Sequence, residues 1–174
     1  DAKVDQCGTN NMSDVYQYGN YNSADVLQYS LNHDSWVDQI GDHNIADVDQ
    51  KNGNNDWSHI DQFGDWNTAI TFQKGSNNMS DVAQTGDNNV ANTYQRYGNH
   101  DSWIDQDGDF NNADVDQIGG NSNWSDIDSQ GSYNTANTLQ NGSNNTSDVW
   151  QSGDSNGAYT TQTGSSNSSI INQS

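Results

Sequence analysis

The chain has 174 residues, of which only 29% are hydrophobic, and a net charge of −20 from 24 acids against 4 Lys and Arg. That charge argues against nucleic acid and anionic membrane surfaces as partners, since both need a basic patch. No apolar run approaches the ~20 residues of a membrane-spanning helix, and the single cysteine, Cys7, rules out an internal disulfide or a CxxC motif.

The low apolar content leans toward disorder, but proline is absent and aromatic and β-branched residues are plentiful, the reverse of a disordered chain. Every acid is Asp, which suits turns and strand ends better than helices.

Taken in chain order, the sequence repeats one frame. DAKVDQ at 1–6 opens part-way through it, without an initiator Met, as expected of a processed product. QYGNYNSADVLQ follows at 17–28, QIGDHNIADVDQ at 39–50, QFGDWNTAITFQ at 62–73, QTGDNNVANTYQ at 84–95 and QDGDFNNADVDQ at 106–117. With Gln as slot 1, the slot holds Gln6, Gln17, Gln28, Gln39, Gln50, Gln62, Gln73, Gln84, Gln95, Gln106, Gln117, Gln140, Gln151, Gln162 and Gln173, with Ser129 the one exception. Units have eleven residues, except the two starting at Gln50 and Gln117, which have twelve. Slot 3 is usually glycine: Gly8, Gly19, Gly41, Gly64, Gly75, Gly86, Gly108, Gly119, Gly131, Gly142, Gly153 and Gly164. Slot 6, counted back from the next Gln, is mostly asparagine: Asn11, Asn22, Asn44, Asn67, Asn78, Asn89, Asn111, Asn123, Asn134, Asn145, Asn156 and Asn167, with His33, Asp56 and His100 interrupting.

Slot 8 alternates Ala and Ser without error from Ala2 to Ser169, and slot 10 is always Val, Ile or Thr. The true period is therefore a double unit of about 22 residues. A longer period is also present. HDSWVDQIGDHNIADVDQ at 33–50 matches HDSWIDQDGDFNNADVDQ at 100–117, an offset of 67 residues or three double units, and NNMSDV at 10–15 returns at 77–82.

Slots 6, 8, 10 and the next slot 1 are two apart, so in a strand they share one face. That face is nearly constant along the chain, whereas slots 7, 9 and 11 vary, as buried and solvated faces would. Slots 2 to 5, with their Gly, Asn and Asp, form a tight corner. Each unit is thus predicted as a strand of about seven residues and a corner, two units making one coil. Stacking coils at ~4.8 Å places Gln on Gln and Asn on Asn, so each buried amide finds a partner in the next coil. The expected fold is all-β: a β-solenoid of seven to eight coils with two facing parallel sheets, one domain over residues 1–174.

The pattern Gln-x-Gly-x-x-Asn-x-Ala-x-x-x-Gln resembles the curlin repeat of bacterial curli major subunits, and the resemblance covers residues 2–173. It departs from that family in carrying Asn or His at slot 6 of its Ser-type units and in its larger number of coils. The resemblance implies a left-handed solenoid that polymerises head to tail into an extracellular cross-β amyloid fibre of the biofilm matrix, with adhesion to surfaces. It also implies a nucleating subunit and secretion or chaperone proteins as partners, and no cofactor. The end at SIINQS reads as an uncapped strand, as a propagating fibre needs.

Other readings compete. An ice-binding solenoid would want an outward Thr on every coil, whereas Thr68, Thr135, Thr146 and Thr161 are scattered. A monomeric adhesin passenger and a minor, nucleating curlin remain alternatives. His33, His43, His59 and His100 lack metal-ligand spacing, and no Ser/His/Asp triad or catalytic carboxylate pair departs from the repeat, so an enzyme is not expected. The outward pairs Asp38/Asp61 and Asp105/Asp128 read as a solubilising face, with a weak divalent-cation site as the sharper alternative. Outward aromatics such as Trp36, Trp57, Phe72, Tyr94, Trp103 and Trp124 are expected to stack along the solenoid. Cys7 is placed in a corner as a free thiol.

Overall fold

The computed structural model describes residues 1–174 and contains sixteen β-strands and no helix. One sheet comprises β1 (Ala2–Thr9), β3 (Ser23–Leu31), β5 (Ile45–Asn54), β7 (Thr68–Ser76), β9 (Val90–Gly98), β11 (Asn112–Ile118), β13 (Thr135–Asn141) and β15 (Gly157–Thr163). The other comprises β2 (Met12–Tyr18), β4 (Asp34–Ile40), β6 (Trp57–Phe63), β8 (Met79–Thr85), β10 (Asp101–Asp107), β12 (Trp124–Gln130), β14 (Thr146–Ser152) and β16 (Ser168–Gln173). All neighbouring strands are parallel, and each pairs with the strand two further on. Parallel neighbours ordinarily need a long crossover. Here the crossover is the strand of the opposite sheet, so short corners suffice. The result is a β-solenoid of eight coils, one strand per sheet in each. The opening half-unit forms β1, so the first coil is whole and the count reaches eight.

The slots explain the strands. In β4, Ser35, Val37 and Gln39 are buried, while Asp34, Trp36, Asp38 and Ile40 alternate with them on the outside. Registers join like to like: Ala24 to Ala46, Val26 to Val48 and Gln28 to Gln50. The odd-numbered strands up to β9 keep pairing into their corner, which puts Cys7 in β1 as an exposed free thiol rather than in a turn. The extra residue of the unit after Gln50 is absorbed as a register shift at Tyr29/Ser30 against Gly53 and Asn54.

Each corner turns at slot 3. At Gly86 φ is +111°, and a Cβ would lie 2.3 Å from the Gly108 carbonyl oxygen of the next coil. Glycine is demanded there by backbone conformation and by the close approach of coils together. A second left-handed residue, unforeseen from the sequence, precedes the slot 6 residue of every corner, with φ between +54° and +63° from Asn10 to Ser166. In corners that follow the odd strands it is Asn or Ser. In the others it includes His43 and the bulky Tyr21, Trp66, Phe110 and Tyr133, residues that rarely adopt this conformation.

The core is thin. Its apolar part is sixteen buried Ala, Val and Ile side chains, with Val15 and Ile171 packed at its two ends. Across it, slot 10 of each odd strand faces the slot 8 serine of the following even strand. Where slot 10 is Thr, the hydroxyls pair: Thr71 with Ser80 at 3.2 Å, Thr93 with Ser102 at 3.5 Å, Thr138 with Ser147 at 3.2 Å. Where slot 10 is Val, the equivalent hydroxyls of Ser13, Ser35, Ser58 and Ser125 have no partner. One methyl-for-hydroxyl exchange thus decides whether a buried polar group is satisfied.

Candidate functional site

The glutamines form two columns. In one, Gln6 Nε2 donates to Gln28 Oε1 at 2.6 Å, and the pattern continues through Gln50, Gln73, Gln95, Gln117 and Gln140 to Gln162 at 2.9–3.0 Å. In the other it runs from Gln17 through Gln39, Gln62 and Gln84 to Gln106, with links of 2.6–2.9 Å. That column breaks at the buried Ser129 and resumes from Ser129 Oγ to Gln151 and on to Gln173, each at 3.0 Å. From Gln17 onward, the second amide hydrogen of each Gln crosses to a backbone carbonyl on the other side of the core: Gln28 Nε2 reaches the Met12 carbonyl at 2.9 Å and Gln84 Nε2 the Thr68 carbonyl at 3.1 Å. One side chain therefore ties a coil to both neighbours and one sheet to the other.

The asparagines work differently. Asn44 Oδ1 accepts the Asn67 backbone N–H at 2.9 Å, while Asn44 Nδ2 donates to the Gly64 carbonyl at 2.7 Å. Asn67 and Asn89 repeat this with Gly86 and Gly108. With one methylene fewer than Gln, the Asn amide reaches the next corner's backbone rather than the next amide. Amide-to-amide contact in slot 6 is confined to the last coils, as between Asn145 Nδ2 and Asn123 Oδ1 at 3.1 Å. An exposed amide ladder does run beside it, through the left-handed Asn10, Asn32, Asn55, Asn77 and Asn99, at 3.2–3.4 Å.

His33 and His100 stand inside the slot 6 column. Each donates from Nε2 to the carbonyl four residues back, at Tyr29 and Arg96, and accepts on Nδ1 from the next coil's backbone, at Asp56 and Asn123. Burial lowers both imidazole pKa values. In both cases the corner stacked on the histidine in the next coil is one that carries an extra residue. Asp56 lies next to His33, its Oδ2 at 3.5 Å from His33 Nδ1 and otherwise unpartnered, while Oδ1 accepts from the Asn78 backbone and side chain. Burial pushes its carboxyl up to about 7, against the lowering effect of the Asn78 contacts.

The outer faces carry stacked aromatics and carboxylates. Phe72 and Tyr94 stack at 4.9 Å, and the left-handed corner aromatics form their own column, with His43 on Trp66 at 4.0 Å and Phe110 on Tyr133 at 5.0 Å. Asp38 faces Asp61 and Asp105 faces Asp128 across neighbouring strands. No group of three or more His, Cys or Asp side chains has the arrangement of a metal site.

The ladders have direction. Every Gln link runs from Nε2 of one coil to Oε1 of the coil later in sequence. At one end Gln6 and Gln17 therefore present Oε1 atoms with no Gln donor, and at the other Gln162 and Gln173 each hold an amide hydrogen beyond the one given to the Thr146 and Gly157 carbonyls. β1 and β2 at the first end, and β15 and β16 at the second, are paired on one side only.

The family model of the Curlin associated repeat matches residues 1–29, 8–40, 59–86, 131–164 and 142–174, well over half of the chain. The chain belongs to the curlin family. No curated protein and no solved structure matches it. Curlin repeats are the building units of curli-type structural subunits, which self-assemble into fibres. The family and the β-solenoid are structural rather than enzymatic in kind, and here the curlin slots map onto observed contacts: slot 1 on the amide columns, slot 3 on the corner approach, slot 6 on the coil-to-coil clamps.

Proposed function

We propose that this chain is the major, repeating subunit of an extracellular curli-type amyloid fibre, adding head to tail, and that residues 1–174 act as one domain in it. The polarity of the ladders carries this reading. Set behind Gln162 and Gln173, a second copy offers Gln6 and Gln17 at the same slots, so the spare amide hydrogens meet the spare Oε1 atoms. Asn167 Oδ1 is likewise placed for the backbone N–H of Asn11 of that copy. A head-to-head contact would set acceptor against acceptor. A contact between unlike ends does not close, so it propagates.

Charge supports the same junction. Residues 155–174 contain no charged side chain, in a chain of net charge −20. Continuing the register would place Lys3 on Tyr159, Asp5 on Thr161 and Asp14 on Ile170, with no carboxylate facing another. Inside the solenoid such pairs do occur, and each costs ~1 kcal/mol at 4 Å in water.

Fibres of this kind would serve the biofilm matrix and surface adhesion outside the cell, with a nucleating subunit and secretion or chaperone proteins as partners. The regular, acidic repeat favours the major over the nucleating subunit. The test is to desalt the denatured chain into buffer and follow thioflavin fluorescence, then take fibre diffraction. The proposal expects a lag, then growth, with a meridional reflection at ~4.8 Å. A folded, β-rich species that stays monomeric for days would overturn it.

A further inference from the structure

The 67-residue repeat places the same cradle twice on the outer face of the even-numbered sheet. In the first, Trp36 and Trp57 lie 6.0 Å apart and tilted by 49°; in the second, Trp103 and Trp124 lie 5.9 Å apart and tilted by 50°. Asp38, Asp61 and Asp81 border the first, and Asp105, Asp128 and Asp148 hold the equivalent places in the second. The centre differs. In the first it is His59, with Nδ1 3.1 Å from Asp81 Oδ1, Nε2 3.1 Å from Asp61 Oδ1 and its ring 5.7 Å from Trp57. In the second it is Asp126, where the chain supplies no cation.

The consequences are visible on both sides. The Asp81 hydrogen bond and neighbouring carboxylates raise the pKa of His59 despite its partial burial, which favours the cationic form of the imidazole in the first cradle. In the second, partial burial and then the charges of Asp148, Asp128 and Asp105 push the Asp126 carboxyl up. A hollow of about 440 Å³ opens there, lined by Trp103, Trp124, Asp105, Asp126 and Asp128.

We propose that the Trp103–Trp124 cradle binds a planar organic cation of the guanidinium type, in the place that the His59 imidazole takes in the first cradle. The indole faces favour a flat, weakly hydrated cation, and the carboxylates can accept its N–H groups in pairs. A metal ion is disfavoured because no cluster of ligating side chains converges with metal-site geometry. Two sources share this chemistry: a guanidinium from outside, and Arg96, exposed on β9, from another copy of the chain.

The test is equilibrium dialysis of acetyl-arginine amide against the assembled full-length chain at low ionic strength. Asp126→His, which gives the second cradle the residue the first already has, is expected to lose most of the bound probe. His59→Asp, which empties the first cradle, is expected to bind about twice as much as the parent, one cradle becoming two. Asp154→His makes the same charge change on a remote corner and should leave binding unaltered. Arg96→Gln separates the sources: more probe bound indicates that a neighbouring Arg96 competes for the cradle, and an unchanged amount an external ligand. The proposal fails if Asp126→His binds as the parent does, if Asp154→His loses as much as Asp126→His, or if the neutral acetyl-citrulline amide binds equally well.

Discussion

Replacing Gln84 by alanine removes three hydrogen bonds at the centre of the solenoid. Gln84 Nε2 donates to Gln106 Oε1 at 2.9 Å and to the Thr68 carbonyl at 3.1 Å, and its Oε1 accepts from Gln62 Nε2 at 2.9 Å. Gln62 keeps its bond to the Ile45 carbonyl but loses its second acceptor, and Gln106 Oε1 loses its donor. Both groups are fully buried. Each unmet buried group costs ~1–3 kcal/mol, and the missing side chain leaves a cavity as well, so the total is roughly 3–6 kcal/mol. Thr146 lies on the outer face, where its side chain makes no hydrogen bond, and Thr146→Ala should cost under about 0.5 kcal/mol. The assay is the guanidinium midpoint of the assembled chain together with its growth rate from seeds. Gln84→Ala should lower both clearly, and Thr146→Ala should change neither. Equal effects would refute the argument that the amide columns hold coil to coil.

Three other perturbations test separate parts of the same physics. Ser129→Gln, placing an amide where the second column breaks, should raise the unfolding free energy by about 1 kcal/mol through renewed links to Gln106 and Gln151; a fall would mean that packing has already closed the gap. Val48→Thr should stabilise by about 1 kcal/mol by giving the Ser58 hydroxyl a partner, while Thr71→Val should destabilise by orphaning Ser80, and two shifts of the same sign would contradict the pairing seen across the core. For Asp56, the folded carboxyl is held neutral to about pH 7 instead of its ordinary 3.8. The stability tied to that proton is complete below 3.8 and is lost as pH rises toward 7, up to roughly 4 kcal/mol. Asp56→Asn should therefore stabilise strongly at pH 8 and hardly at pH 3, and a larger gain at acid pH would show that burial of the carboxylate is not the cause.

The coil period, the strand faces and the join of like to like were legible because identical slots recur at fixed spacing, and periodicity reports which face a residue takes. What periodicity does not report is which atom meets which. Gln and Asn look alike in the repeat, but one methylene sends the Gln amide to the next amide and the Asn amide to the next backbone. The orphaned hydroxyls of Ser13, Ser35, Ser58 and Ser125 follow from a Val, where other coils have Thr, nine or ten residues upstream, a signal present in the sequence but readable only once the two sheets are known to face each other. The left-handed position before slot 6 was hidden for another reason. Its occupants include Trp66, Phe110 and Tyr133, whose own preferences oppose that conformation, so the closed corner imposes it. Cys7 was misplaced because β1 goes on pairing with β3 past slot 1, something a corner composition rich in Gly and Asn does not announce.

The junction between copies is the centre of the functional argument. Fibres grown from an equal mixture of ¹³C-labelled and ¹⁵N-labelled chains report contacts between different chains by solid-state NMR. Continuous ladders predict inter-chain contacts of Gln162 with Gln6 and of Gln173 with Gln17. Contacts of Gln6 with Gln6, or no inter-chain contact at the terminal coils, would contradict head-to-tail growth through the amide columns.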